Sequence, residues 1–162
     1  MSQVPVARDF MATKLITLRP DMDIFAAIDE LLKHHISGAP VVDGEQRLVG
    51  ILSEKDCLRV VASGAFHRSA GGSVGDYMSR EVQTVDPEAD VFRVADIFLT
   101  RSFRRLPVLE DGRLIGQVSR RDVLEASRRI LEGAPPQKPW TDAKYLTDEI
   151  KAALADKTPP AT

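Results

Sequence analysis

A mixed fold of the α/β (α+β) kind, built from two similar β-α-β-β-α units, follows from three features of the 162-residue chain. The second half repeats the first in register. In each half an apolar run at helical spacing is followed by a strand-turn-strand pattern. Finally, 43% apolar content and a length of 162 residues support one compact domain, or two small units sharing a core, and exclude a disordered tail or a fibre.

The repeat organises everything else. Residues 9 to 58 lie on residues 76 to 124 with an offset of 67 that drops to 66 after a single gap. Before the gap, Asp9, Met11, Thr17, Pro20, Asp23, Phe25, Asp29, Leu32, Pro40 and Val41 match Asp76, Met78, Thr84, Pro87, Asp90, Phe92, Asp96, Leu99, Pro107 and Val108. After it, Arg47, Leu48, Gly50, Ser53, Asp56 and Leu58 match Arg113, Leu114, Gly116, Ser119, Asp122 and Leu124. Chance scatters identities; it does not hold sixteen of them in one register.

Short strands are expected at KLITL and EVQTV, opening the two copies. Next come amphipathic helices carrying Ile24, Ala27, Ile28, Leu31 and Leu32, and Val91, Val94, Ala95, Phe98 and Leu99, with Asp23 and Asp90 placed to cap them. Hairpins follow around Asp43-Gly44 and Asp111-Gly112, and the gap falls where a turn tolerates a change of length. A second helix closes each copy, marked by Leu58 and Val61, and by Val123, Leu124, Ser127, Ile130 and Leu131. The copies then span 9–62 and 76–132, with a Gly- and Ser-rich linker at 63–75. From 133 to 162 a proline-rich break leads to a terminal segment with Leu146, Ile150 and Leu154 on one face, then a disordered end. A unit of about fifty residues buries little apolar surface alone, so the copies should pack about a pseudo-twofold axis with a cleft between them.

Charge and composition narrow the function. With 22 Lys and Arg against 24 Asp and Glu, the chain has no global positive field to draw it to nucleic acid or anionic lipid. No apolar stretch approaches the ~20 residues needed to span a bilayer, and no secretory signal opens the chain. A soluble, cytoplasmic protein is expected. One cysteine, Cys57, excludes an internal disulfide and is expected to be a small packed residue. Adjacent His34 and His35 point about 100° apart on a helix and cannot face one metal ion, and His67 has no partner at ligand spacing. No G-x-S-x-G, G-x-x-x-x-G-K-[ST] or H-E-x-x-H motif is present, so an independent enzyme is not expected.

The recurring segments GILSEKDCL and GQVSRRDVL, preceded by SGAPVV and RRLPVL and opened by DFM and DYM, resemble the CBS domain family, named after cystathionine beta-synthase. The resemblance spans residues 9 to 132. It implies paired regulatory modules that bind AMP, ADP, ATP, NAD or S-adenosylmethionine between repeats, often as homodimers, and that report to a partner protein. It also implies site residues. One cleft would combine Arg104, Arg105, Gln117, Ser119, Arg121 and Asp122 with Ile16, Ile36 and Ser37, the two isoleucines sandwiching adenine. The other would use Ser37, Gly38, Ile51, Ser53 and Asp56 with Gln83, Phe103 and Arg104.

The residues themselves leave alternatives open. Ser53-x-x-Asp56 and Ser119-x-x-Asp122 also fit a capping box, and the three isoleucines also fit a plain core. Gly50 and Gly116 mark either a close backbone approach or a bulge. Charge favours the second copy for a phosphate: from Arg101 to Arg121 six arginines face Glu110 and Asp111, whereas His34 to Lys55 holds two basic and three acidic residues. Each single arginine is equally explained by a solvated surface. The competing function is a ligand-free dimerisation or adaptor module acting through its surfaces.

Overall fold

The computed structural model describes residues 4–66 and 71–133. The terminal segment with Leu146, Ile150 and Leu154, the proline-rich break and His67 lie outside the described residues. In chain order the elements are α1 (Ala7–Phe10), α2 (Ile24–Lys33), β1 (Gly38–Val42), β2 (Leu48–Ser53), α3 (Glu54–Phe66), α4 (Val74–Tyr77), α5 (Val91–Thr100), β3 (Arg105–Glu110), β4 (Arg113–Ser119) and α6 (Arg120–Gly133).

The two Asp caps form as the sequence requires. Asp23 accepts from the N–H groups of Phe25 at 3.0 Å and Ala26 at 3.1 Å, and Asp90 accepts from Phe92 at 3.0 Å and Arg93 at 2.9 Å. Each such cap contributes ~1 kcal/mol. Ile24, Ala27 and Leu31 on α2, and Val91, Val94 and Phe98 on α5, are buried at the i, i+3, i+7 spacing. Leu32 and Leu99, expected on the same faces, are instead exposed, because each stands about 100° round the helix from its buried neighbour. The closing helices repeat the pattern: Cys57 and Val60, and Val123 and Ala126, are buried, while Leu58, Val61 and Leu124 face outward.

The expected strands at KLITL and EVQTV shrink to single bridges, Leu18 with Val41 and Val85 with Val108, both parallel. Proline explains why. Leu18 N–H donates to Pro40 O at 2.9 Å and Val42 N–H to Leu18 O at 2.9 Å. Extending this ladder backwards needs an N–H from Pro40, and extending it forwards needs one from Pro20; neither has one. The repeat places Pro107 and Pro87 at the same two positions beside Val85.

The hairpins differ in their turns. In the second, Asp111 at φ 51° and Gly112 at φ 79° make the two-residue turn of left-handed residues that strand twist favours. The first copy has one more residue, and its left-handed position moves from the Asp-Gly pair to Gln46, at φ 64°. There the Asp43 carboxylate accepts from Glu45 N–H at 2.9 Å and Arg47 N–H at 3.0 Å, which holds its pKa below the usual value. Val41 opposes Gly50 and Val42 opposes Leu48, so Val49 is the bulged residue.

Two short helices were not expected. Asp9 accepts from Val6 N–H at 2.9 Å and Asp76 from Ser73 N–H at 2.8 Å, each carboxylate reaching back over the first turn of α1 or α4. The Ser73 amide and hydroxyl hold the Asp76 pKa below normal. The span expected as a linker, 63–75, is helical through Phe66 and enters α4 at Val74. Residues 64–66 have enough apolar and small side chains to prolong α3, and Ser73 with Asp76 supplies the start signal that ends the linker early.

The chain divides into two compact units, and they do not coincide with the copies at 9–62 and 76–132. One unit draws on the chain before Thr13, on Val85–Val108 and on the chain from Gly116 onward; the other comprises Thr13–Thr84 and Leu109–Ile115. The opening segments are thus exchanged. In the first unit Ala12 bridges Gln117, with Ala12 N–H to Gln117 O at 2.9 Å and Gln117 N–H to Ala12 O at 3.0 Å. In the second unit Ile51 and Ser79 form the equivalent pair, at 2.9 and 2.8 Å. Its core gathers Leu18, Ile24, Leu31, Val41, Leu52, Cys57, Val60, Val74 and Met78, with Ile28 and Ile36 packed against it.

Candidate ligand site at the repeated Ser and Asp

Each hairpin ends in a serine from which a helix starts, so strand and helix together fix the Ser-x-x-Asp pair. In the second copy Asp122 Oδ2 accepts from Ser119 N–H and Ser119 Oγ, both at 2.7 Å, while Ser119 Oγ accepts from Asp122 N–H at 3.3 Å. In the first copy Asp56 Oδ2 accepts from Ser53 N–H at 2.9 Å and Ser53 Oγ at 2.8 Å, and Ser53 Oγ accepts from Asp56 N–H at 3.2 Å. The capping-box reading is therefore realised in both copies. It engages one carboxylate oxygen of each Asp and leaves the chemistry of the other open.

The second oxygens differ. Asp56 is 3% exposed, and its Oδ1 lies 3.6 Å from Arg59 Nη1. Asp122 is half-buried, and among the described residues its Oδ1 has no partner. The position equivalent to Arg59 is Glu125, which accepts from Arg121 Nε at 3.0 Å. Arg121, expected at the ligand, is spent on that pair and its side chain is 85% exposed.

Arg104 and Arg105 stand at the entry of β3, Arg104 exposed and Arg105 half-buried, and Gln117 and Ser119 lie half-buried on β4. Among the described residues no acid pairs with Arg104, Arg105 or Arg120. Arg120 escaped the sequence reading as a site residue. Its signal was its position as the first residue of α6, beside Ser119, where free amide groups and a guanidinium both favour an anion.

The other expected residues belong to the second unit, together with Asp56. Gly38 pairs with Ser53 across β1 and β2, and Glu54 N–H donates to Ser37 O at 2.9 Å, so Ser37, Gly38 and Ser53 converge at the start of α3. Ile16, Ile36 and Ile51 are each half-buried, and Ile36 also packs on the core, in keeping with its plain-core alternative. Gln83 is half-buried and donates from Nε2 to Thr84 O at 3.1 Å, while Phe103 falls in the unit of Asp122. The two sets stand in different units and are described separately.

His34 caps the C-terminal end of α2, its Nε2 3.2 Å from Glu30 Oε2, and His35 turns the chain at φ 52°. Cys57 is buried in the core, and burial first, then the charges of Asp56 and Glu54, raises its thiol pKa. Among the described residues no helix is long and apolar enough to cross a membrane.

The family model for the CBS domain matches the chain twice, over residues 7–63 and 74–129. The chain belongs to the CBS domain family. Its CBS pair resembles the crystal structure of CBSX2 from Arabidopsis thaliana in complex with AMP at 30% identity and a TM-score of 0.69, covering 78% of this chain and 98% of that one. It also resembles the CBS domain pair of MJ0100 in complex with 5′-methylthioadenosine and S-adenosyl-L-methionine, at 26% identity and a TM-score of 0.64, covering 81% and 98%. Among curated proteins, the uncharacterized protein MJ1225 of Methanocaldococcus jannaschii is 31% identical over 118 residues, which are 73% of this chain. The chain spans 41% of the length of that relative. The mixed helix and strand content expected from the sequence is that of these CBS pairs.

Proposed function

We propose that this CBS pair is a cytoplasmic regulatory module that binds an adenosine-containing ligand and signals to another protein, without catalysing a reaction of its own. The observation that carries the reading is Asp122: its Ser119-bound oxygen fixes the carboxylate, and its second oxygen remains available to accept from ribose hydroxyls. Arg104, Arg105 and Arg120 lie on the same copy without acid partners and offer paired donors to phosphate. The ligands in the structures of CBSX2 and MJ0100 all contain adenosine, which supports the same class here. Such a ligand shifts the protein between arrangements only by its difference in affinity for them, and that difference is the signal.

Calorimetric titration with AMP, ADP, ATP, NAD and S-adenosylmethionine tests the reading. At about a hundredfold over its Kd a true ligand stabilises the fold by ~2.7 kcal/mol, raising Tm by about 5–10 °C. Asp122→Ala is expected to weaken that ligand about tenfold or more. No heat and no thermal shift with any of the five overturns it.

A second reading, dimerisation, is favoured by a separate observation. Phe25, Leu32, Leu58 and Val61 are exposed on α2 and α3, and Leu99 and Leu124 repeat the Leu32 and Leu58 positions on α5 and α6, at 67% and 70% exposure. Monomers rarely leave such stripes uncovered. A homodimer buries them, and Leu58→Glu with Leu124→Glu is expected to halve the mass measured by light scattering while the circular dichroism is unchanged. A wild-type chain that is monomeric at micromolar concentration counts against this reading.

A further inference from the structure

We propose that ligand binding is confined to the Asp122 half of the molecule, in one copy per chain, and that the ligand it takes there is an anionic adenosine 5′-phosphate. This rests on the adenosine reading above and adds stoichiometry and charge to it. The two Ser-x-x-Asp pairs make the same cap, so the difference between them lies in what surrounds the carboxylate. At Asp56 one oxygen serves Ser53, the other faces Arg59 at 3.6 Å, and the residue is 3% exposed. A buried carboxylate with both oxygens engaged has no acceptor left for a ribose hydroxyl. At Asp122 the residue matching Arg59 is Glu125, which is drawn to Arg121 and leaves Oδ1 free among the described residues.

The basic residues follow the same division. Arg104, Arg105 and Arg120 of the second copy correspond to Ser37, Gly38 and Glu54 of the first. Three guanidinium donors are thus replaced by a hydroxyl, a hydrogen and an acid. An anion gains charge-assisted hydrogen bonds on one side and meets an unfavourable charge on the other. A cationic sulfonium such as that of S-adenosylmethionine gains nothing from unpaired arginines.

The test is calorimetry of the full chain with AMP, adenosine and S-adenosylmethionine, on wild type and on Asp56→Asn, Asp122→Asn and Arg105→Ala. One AMP per chain is expected, with adenosine and S-adenosylmethionine about tenfold weaker or worse. Asp122→Asn should weaken AMP about tenfold, and Asp56→Asn should change it less than about twofold. Arg105→Ala should narrow the preference for AMP over adenosine and leave adenosine itself unmoved. Two AMP per chain, equal losses from the two Asp variants, or S-adenosylmethionine matching AMP overturns this proposal while leaving the adenosine reading intact. Absence of binding by all three overturns both. If Asp56→Asn does not fold, the wild-type stoichiometry and the Arg105→Ala split still decide.

Discussion

Gly50→Ala and Gly116→Ala should each destabilise the protein by about 2–3 kcal/mol, lowering Tm by about 5–10 °C. A methyl group on Gly50 would lie 2.7 Å from Met78 Sδ and 2.8 Å from the carbonyl oxygen of Ser79. The methionine can swing aside. The carbonyl cannot, because it accepts from Ile51 N–H at 2.9 Å while Ser79 N–H donates back to Ile51 at 2.8 Å. The methyl group must therefore break that bridge or push the strand away from it. At Gly116 the added atom would overlap Met11 Sδ and come within 3.1 Å of Ala12 O, which is held in the same way by Gln117. Gly44→Ala is the control, since nothing lies within 4 Å of its added atom, and it should leave stability within about 0.5 kcal/mol. Thermal melts of the three variants measure the effect. A melt for Gly50→Ala or Gly116→Ala as high as that of Gly44→Ala would show that the close approach relaxes freely.

Leu18→Ala is expected to cost about 2–5 kcal/mol, and Val85→Ala, its counterpart in the other copy, distinctly less. The segment carrying Leu18 is tied to β1 by one bridge, and Pro20 and Pro40 forbid a second rung on either side. The backbone therefore contributes two hydrogen bonds there, and burial of the Leu18 side chain, 0% exposed, must hold the rest of the segment down. Val85 is 5% exposed and has one fewer methylene to lose, so its truncation leaves the smaller cavity. Denaturant unfolding of both variants gives the comparison; a Leu18→Ala variant no less stable than Val85→Ala would mean that the segment is anchored elsewhere.

The sequence disclosed what depends on near neighbours. Asp23 and Asp90 cap their helices because an Asx side chain reaches amides two and three residues on, wherever the helix is placed. The Ser-x-x-Asp pairs formed for the same local reason, and the Asp-Gly turn of the second hairpin took its left-handed geometry directly. What stayed hidden depends on distant partners. KLITL and EVQTV have strand composition, but the number of rungs they make is set by prolines on the strand they meet. Leu32 and Leu99 fit the apolar pattern of their helices, and only packing reveals that they lie outside the buried arc. The repeat implied that Asp56 and Asp122 are alike; one residue three positions further on, Arg59 against Glu125, makes one carboxylate closed and the other open.

Exchange of the opening segments has a topological consequence. Met11 closes over Gly116 from the opposite end of the sequence, and Met78 closes over Gly50 from beyond the duplication boundary. No single scission of the polypeptide can release either half complete, since each would forfeit an edge that the other fragment encodes. The duplicated gene is therefore locked as a pair, whatever each copy goes on to do.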